Sequence, residues 1–176
     1  MSWGNQRQHE EIVDPVEAET VAKTVVYDRL AVQARSRSDL EQALATKGVP
    51  AQIATDVLDR FEEAGLVDDA EFARVWVQQR QAGKGLSSRA LAQELRRKGV
   101  DDQIARDALA NLDPELEVQA AHELVQRKLR SMSSLDDTVK TRRLVGMLAR
   151  KGYGPGLAFQ VVREELGAQA APLESL

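Results

Sequence analysis

The feature that most restricts what this chain can fold into is that it repeats itself. Leu40, Leu44, Lys47, Gly48, Val49, Ile53, Ala54, Val57 and Leu58 recur 51 residues later as Leu91, Leu95, Lys98, Gly99, Val100, Ile104, Ala105, Ala108 and Leu109. A further 53 residues on stand Leu144, Leu148, Lys151, Gly152, Tyr153, Leu157, Ala158, Val161 and Val162. Only Tyr153 departs in type, and a single two-residue insertion separates the spacings. Self-similarity at this period marks an array of small supersecondary units. Leucines four residues apart share one helix face. The glycine four residues after the second leucine falls where a helix closes in a left-handed cap. Each copy therefore reads as helix, turn, helix.

The flanking residues extend that pattern. Ser38 with Glu41, and Asp68 with Glu71, have capping-box spacing, while Pro114 follows Asp113 as a first-turn proline. Gly65 closes the second helix of the first copy. A third helix follows in two copies, over Asp69–Gln81 with Phe72 and Trp76, and over Glu115–Arg130 with Ala121, Leu124 and Val125. A further helix, Glu17–Ala34, precedes them all; the third copy has no room for a long third helix after Leu166. The expected architecture is all-α: an elongated array of three tandem three-helix repeats with an extra N-terminal helix. Its segments are an N-terminal helix over 17–34 and repeats over 35–82, 83–131 and 132–167, with 1–16 and 168–176 frayed or disordered. Ser131-Met132-Ser133-Ser134 is a candidate hinge.

Composition agrees and removes several chemistries. Apolar residues reach 43% while aromatics supply only 4%, so aliphatic stripes must carry the packing. Without cysteine there is no disulfide, thiolate zinc site or cysteine nucleophile. His9 and His122 alone cannot build a multi-histidine metal centre. No apolar run approaches the roughly 20 residues of a membrane span, and no basic-then-apolar leader opens the chain. The expectation is a cytoplasmic protein without cofactor, metal or catalytic machinery.

The residues Arg35–Leu58, the signature Gly65-Leu66-Val67-Asp68-Asp69-Ala70-Glu71-Phe72-Ala73, and Gly83–Gly99 with Leu91, Glu94, Leu95, Lys98 and Gly99 resemble the RecX family, bacterial regulators of the RecA recombinase. The likeness spans about residues 20–166. It implies three tandem three-helix repeats and no enzymatic activity. It also implies binding to the RecA–single-stranded-DNA filament, with repression of its recombinase, ATPase and coprotease activities, in DNA repair and the SOS response. The partner is then a RecA filament, with at most weak non-specific DNA contact, no membrane, and a monomeric chain.

Charge suggests where such a partner docks. The net charge of −4 divides into −6 over residues 1–83 (9 Lys+Arg, 15 Asp+Glu) and +5 over 84–163 (15 and 10), with three acids after that. Uneven charge of this kind points to a charged partner. Arg89, Arg96 and Arg97 fall on the helix side away from Leu91 and Leu95, and Arg142, Arg143 and Arg150 on the side away from Leu144 and Leu148. Arg127, Lys128 and Arg130 end a helix near the hinge; Lys140 lies nearer the leucine face. Lys47, Lys98 and Lys151 each precede a capping glycine; the last two join the candidate surface, although a last-turn cation also favours the helix dipole by about 0.3–1 kcal/mol. These sets fit an acidic RecA face or DNA phosphate.

Other motifs are structural. Asp68 as a cap, Asp69 on the dipole, and Phe72 with Trp76 in the core account for the acidic signature better than a metal pair does. Gly83-Lys84-Gly85 lacks the preceding glycine and following Ser or Thr of a phosphate loop. Gly152-Tyr153-Gly154-Pro155-Gly156 is a turn. His122 has no neighbouring nucleophile to serve. The alternative of a helix-turn-helix protein reading duplex DNA meets Asp101, Asp102 and Asp107, opposed only by Arg106, on the helix that would enter the groove. The corresponding first-copy helix carries Asp56, Asp59, Glu62 and Glu63 against Arg60.

Overall fold

The computed structural model describes residues 14–170; the expectations for residues 1–13 and 171–176 lie outside them. The described residues are all-helical. They run α1 (Pro15–Val32), α2 (Arg37–Thr46), α3 (Ala51–Glu63), α4 (Asp69–Lys84), α5 (Ser88–Arg97), α6 (Asp102–Ala110), α7 (Pro114–Leu129), α8 (Asp137–Arg150) and α9 (Pro155–Ala170). They form two compact units, one of residues 14–73 and 95–104, the other of 74–94 and 105–170.

In the first unit α1, α2 and α3 pack on one another around Ala22, Val26, Leu40, Leu44, Val57, Leu58 and Phe61. Tyr27 sets its ring edge against Phe61, with centroids 4.9 Å apart. In the second unit α7, α8 and α9 enclose Ala121, Val125, Leu129, Leu144, Leu148, Tyr153, Val161 and Val162. The repeated leucines Leu40, Leu44, Leu91, Leu95, Leu144 and Leu148 are all at most 1% exposed. Each such side chain contributes about 1.5–3 kcal/mol by leaving water. The four-residue leucine spacing in the sequence thus becomes the buried stripe of every copy.

Helix ends follow the capping residues, with one correction. Asp14 accepts the Val16 N–H at 2.9 Å and Pro15 takes the first helical position, so α1 starts ahead of Glu17. Asp68 accepts the Glu71 N–H at 3.0 Å, and Asp113 accepts from Glu115 at 2.9 Å ahead of Pro114, as their spacing predicts. The cap of α2 is Ser36, not Ser38: Ser36 is extended, and its Oγ accepts the Asp39 N–H at 3.2 Å. Gly48, Gly99 and Gly152 close their helices with φ of 75°, 70° and 90°, a conformation that L side chains adopt only with strain. Between α7 and α8 the serine-rich segment is a tethered turn: the Met132 N–H donates to the Leu129 carbonyl at 2.8 Å, and the Met132 side chain is buried in the core.

Candidate partner-binding surface

The Lys–Gly pair that punctuates each copy does more than end a helix. In the first unit Ser36 Oγ donates to the Lys98 carbonyl at 2.7 Å, and Lys98 Nζ reaches Asp39 at 3.0 Å. A Cβ on Gly99 would sit 2.3 Å from that of Ser38. The second unit repeats the arrangement one copy on. The Ser87 N–H donates to the Lys151 carbonyl at 3.1 Å, Lys151 Nζ donates to the Lys84 carbonyl at 2.5 Å, and a Cβ on Gly152 would lie 2.4 Å from Ser87 Oγ. Ser36 and Ser87, themselves 51 residues apart, are buried polar residues at 0% and 1% exposure. Sequence reasoning passed over both, although their matching spacing was a usable signal. Tyr153 finds its reason here too: its hydroxyl donates to the Gly85 carbonyl at 3.0 Å, a bond the aliphatic Val49 and Val100 cannot make. Burial first, then the charge of Glu117, pushes that phenol up to about 12.

Cations in the first unit are largely committed to carboxylates. Arg37 binds Glu41 at 3.0 Å, Asp59 at 2.8 Å and Glu62 at 2.7 Å. Burial works against its charge, but the hydrogen bonds it donates to Asp59 and Glu41 outweigh it, so the guanidinium is held well above the ordinary arginine value. Glu19 takes both Lys23 and Arg60 at 2.7 Å, and those hydrogen bonds hold its carboxyl below the usual range. Asp69 is pushed up by burial even though it accepts the Arg37 N–H at 2.8 Å.

The sequence-selected cations separate against that background. Arg96 pairs with Asp102 at 3.3 Å on an exposed surface; Arg97 is exposed as well. Lys98 is half-buried on Asp39, and Lys140, with a side chain 14% exposed, pairs with Asp137 at 3.1 Å. Lys151 turns inward to the Lys84 carbonyl; burial, then the nearby charges of Arg127 and Lys84, hold its ammonium below the ordinary lysine range. Lys84, Arg127 and Lys151 therefore form a cationic cluster, of which the sequence marked Lys84 only as part of a Gly-Lys-Gly turn. By contrast Arg89, Arg127, Lys128, Arg130, Arg142, Arg143 and Arg150 are all exposed, and none forms an ion pair among the described residues. Arg142, Arg143 and Arg150 lie on α8 opposite the fully buried Leu144 and Leu148, as the periodicity predicts.

Remaining motifs take structural places. Phe72 is buried, whereas Trp76 sits half-exposed with its indole N–H donating to Glu94 at 2.9 Å and Arg80 stacked 4.4 Å over its ring. His122 contacts Glu165 at 2.7 Å and Glu164 at 3.4 Å, tying α7 to α9. Among the described residues no cluster of three or more His, Asp or Glu could hold a metal, and no helix is long and apolar enough to cross a membrane.

Comparison with known proteins gives one consistent answer. Family models of the first, second and third three-helix domains of RecX match residues 22–61, 68–109 and 115–162. These blocks fall on α1–α3, α4–α6 and α7–α9. A regulatory protein RecX of Amycolatopsis mediterranei is 47% identical over 163 residues, covering 91% of this chain and 93% of its own. That of Mycolicibacterium smegmatis is 48% identical over 162 residues, covering 89% and 86%. The crystal structure of RecX from Lactobacillus salivarius superposes with a TM-score of 0.74 at 19% identity, over 85% of this chain and 97% of that one. A second regulatory protein RecX structure gives 0.74 at 21% identity, over 86% and 74%, and carries the same fold.

Proposed function

The chain belongs to the RecX family, and from that premise we propose that it is a non-enzymatic regulator that docks on the RecA–single-stranded-DNA filament in the cytoplasm. Docking represses the filament's recombinase, ATPase and coprotease activities, and so modulates recombinational repair and the SOS response. The observation that carries this reading is the set of seven exposed, carboxylate-free cations, six of them on α7 and α8 or at their ends. Surface arginines inside a stable fold normally share their charge with nearby acids; a set left without them presents a positive field to an anionic partner. Filaments offer two such targets, acidic protein surface and DNA phosphate. A regulator of this kind shifts the filament only by binding one of its states better than another.

Duplex reading by a helix-turn-helix finds no support in α6, whose Asp101, Asp102 and Asp107 are all exposed at or near its start and middle. The test is RecA ATP hydrolysis on single-stranded DNA with substoichiometric amounts of this protein. Inhibition is the expected result, and an unchanged rate contradicts the reading.

A further inference from the structure

The third copy departs from the other two at positions that meet in one place. Where they have Gln42 and Gln93 it has Gly146, and where they have Thr55 and Arg106 it has Phe159. Both departures line one open furrow between α8 and α9 of about 700 Å³. Phe159 stands 55% exposed beside it. Gly146 lies inside α8, where alanine would support the helix better. A Cβ there would meet only the tip of Arg150, at 3.4 Å. Nothing in the fold therefore demands glycine at this point; its effect is to leave the floor of the furrow open.

Cations flank the same place. Arg142 lines this furrow, as does Asp137, whose carboxylate is held by Lys140 at 3.1 Å, and Arg163 lines an adjoining one of about 380 Å³ that shares Thr141 and Phe159 with it. Arg163 stands where the earlier copies have Asp59 and Ala110, and neither it nor Arg142 forms an ion pair among the described residues. An apolar notch with an aromatic wall and free guanidiniums suits an apolar anchor side chain on a segment that also bears carboxylates. A nucleic-acid strand fits it less well. Stacking platforms offer several aromatics to successive bases, and here Phe159 is followed along the wall by aliphatic Val145 and Leu166.

We infer that the α8–α9 furrow, floored by Gly146 and walled by Phe159, is a docking notch for an apolar anchor residue of an acidic protein segment. The inference rests on the filament reading, in which RecA presents that segment.

Gly146→Met fills the notch from its floor, and Phe159→Ser removes its wall without touching a buried residue. Each is measured for thermal unfolding, for inhibition of RecA ATP hydrolysis, and for binding a fluorescent single-stranded oligonucleotide without RecA. Gly146→Met is expected to keep or raise the unfolding temperature. Both variants should need about tenfold more protein for half-inhibition, with oligonucleotide binding unchanged. Variants that inhibit as the parent does overturn the notch and leave the regulator reading standing. A parent chain that fails to inhibit RecA removes both. Loss of oligonucleotide binding in step with inhibition assigns the furrow to nucleic acid and overturns the inference as well.

Discussion

The first and last helical copies of this chain are built on one repeat and use charge in opposite ways. Around α2 and α3 the arginines of the helices face carboxylates, Arg37 holding three and Arg60 sharing Glu19 with Lys23, while Lys47 at the end of α2 is exposed without an ion pair among the described residues. Around α7 and α8 the arginines face solvent without such partners. Counting Lys and Arg along the sequence separates the halves by sign, but it is pairing that separates their roles. A neutralised guanidinium stabilises its own fold, while an unneutralised one leaves its field for a partner.

The largest expected effects lie where the two ends are alike. Gly99→Ala and Gly152→Ala each combine a left-handed backbone with a Cβ closer than 2.5 Å to a serine side chain, that of the half-buried Ser38 or the buried Ser87. Each should destabilise by about 2–5 kcal/mol, from roughly 1–2 for the backbone and 1–3 for overpacking. Gly65→Ala, with φ of 69° and open space around it, should lose only about 1 kcal/mol. Urea unfolding of the three variants measures this, and equal losses would mean the serine contacts are not close-packed.

Next comes the contrast itself. Arg37→Met removes a hub from three carboxylates, each individually half-exposed, and should cost about 1–2 kcal/mol. Arg142→Glu, Arg143→Glu and Arg150→Glu should cost about 0.5 kcal/mol or less apiece. If the α8 changes destabilise as much as Arg37→Met, those arginines are structural and the comparison breaks.

Smaller still is Tyr153→Phe, expected to lose about 1 kcal/mol near neutral pH with its hydrogen bond to Gly85. The same variant has a pH signature. A phenol pushed from 10 to about 12 binds its proton more tightly folded than unfolded, so its contribution is complete below pH 10 and is lost as pH rises toward 12. Stability of the parent should therefore fall over that window by more than stability of Tyr153→Phe. Parallel curves would place the hydroxyl in water.

Helix positions were legible because leucine spacing and capping glycines are local signals, and the described residues follow them closely. Choosing between Ser36 and Ser38 as the cap of α2 was not a local matter. Ser36 is fixed by a carbonyl 62 residues away, on Lys98, and Ser38 is packed under Gly99. The charged surface was legible only in outline for the same reason. Arg37 has Glu41 four residues on, a pair the sequence could show, but only the fold adds Asp59 and Glu62 to it and leaves Arg142 in open solvent. Lys98, Lys140 and Lys151 likewise read as surface cations until Asp39, Asp137 and the Lys84 carbonyl appear beside them. Acids suited to a control are equally a tertiary question: Asp59 and Glu62 belong to the Arg37 hub, whereas Asp28, Asp56 and Glu63 are exposed and bind no cation among the described residues.

Charge reversal at the two ends, read by RecA ATP hydrolysis on single-stranded DNA, tests the central claim most directly. One variant carries Arg142→Glu, Arg143→Glu and Arg150→Glu; the other carries Asp28→Lys, Asp56→Lys and Glu63→Lys, a charge change of equal size and opposite sign. The α8 variant should stay folded and lose most of its inhibition. Its remaining binding should be less salt-sensitive, by about 0.7 in log–log slope for each single-strand phosphate contact removed. The acidic-end variant should inhibit as the parent does. Inhibition that survives at the α8 variant and disappears at the acidic-end variant would contradict the account, because the working surface would then carry the acids around α1 and α3 and not the arginines of α8.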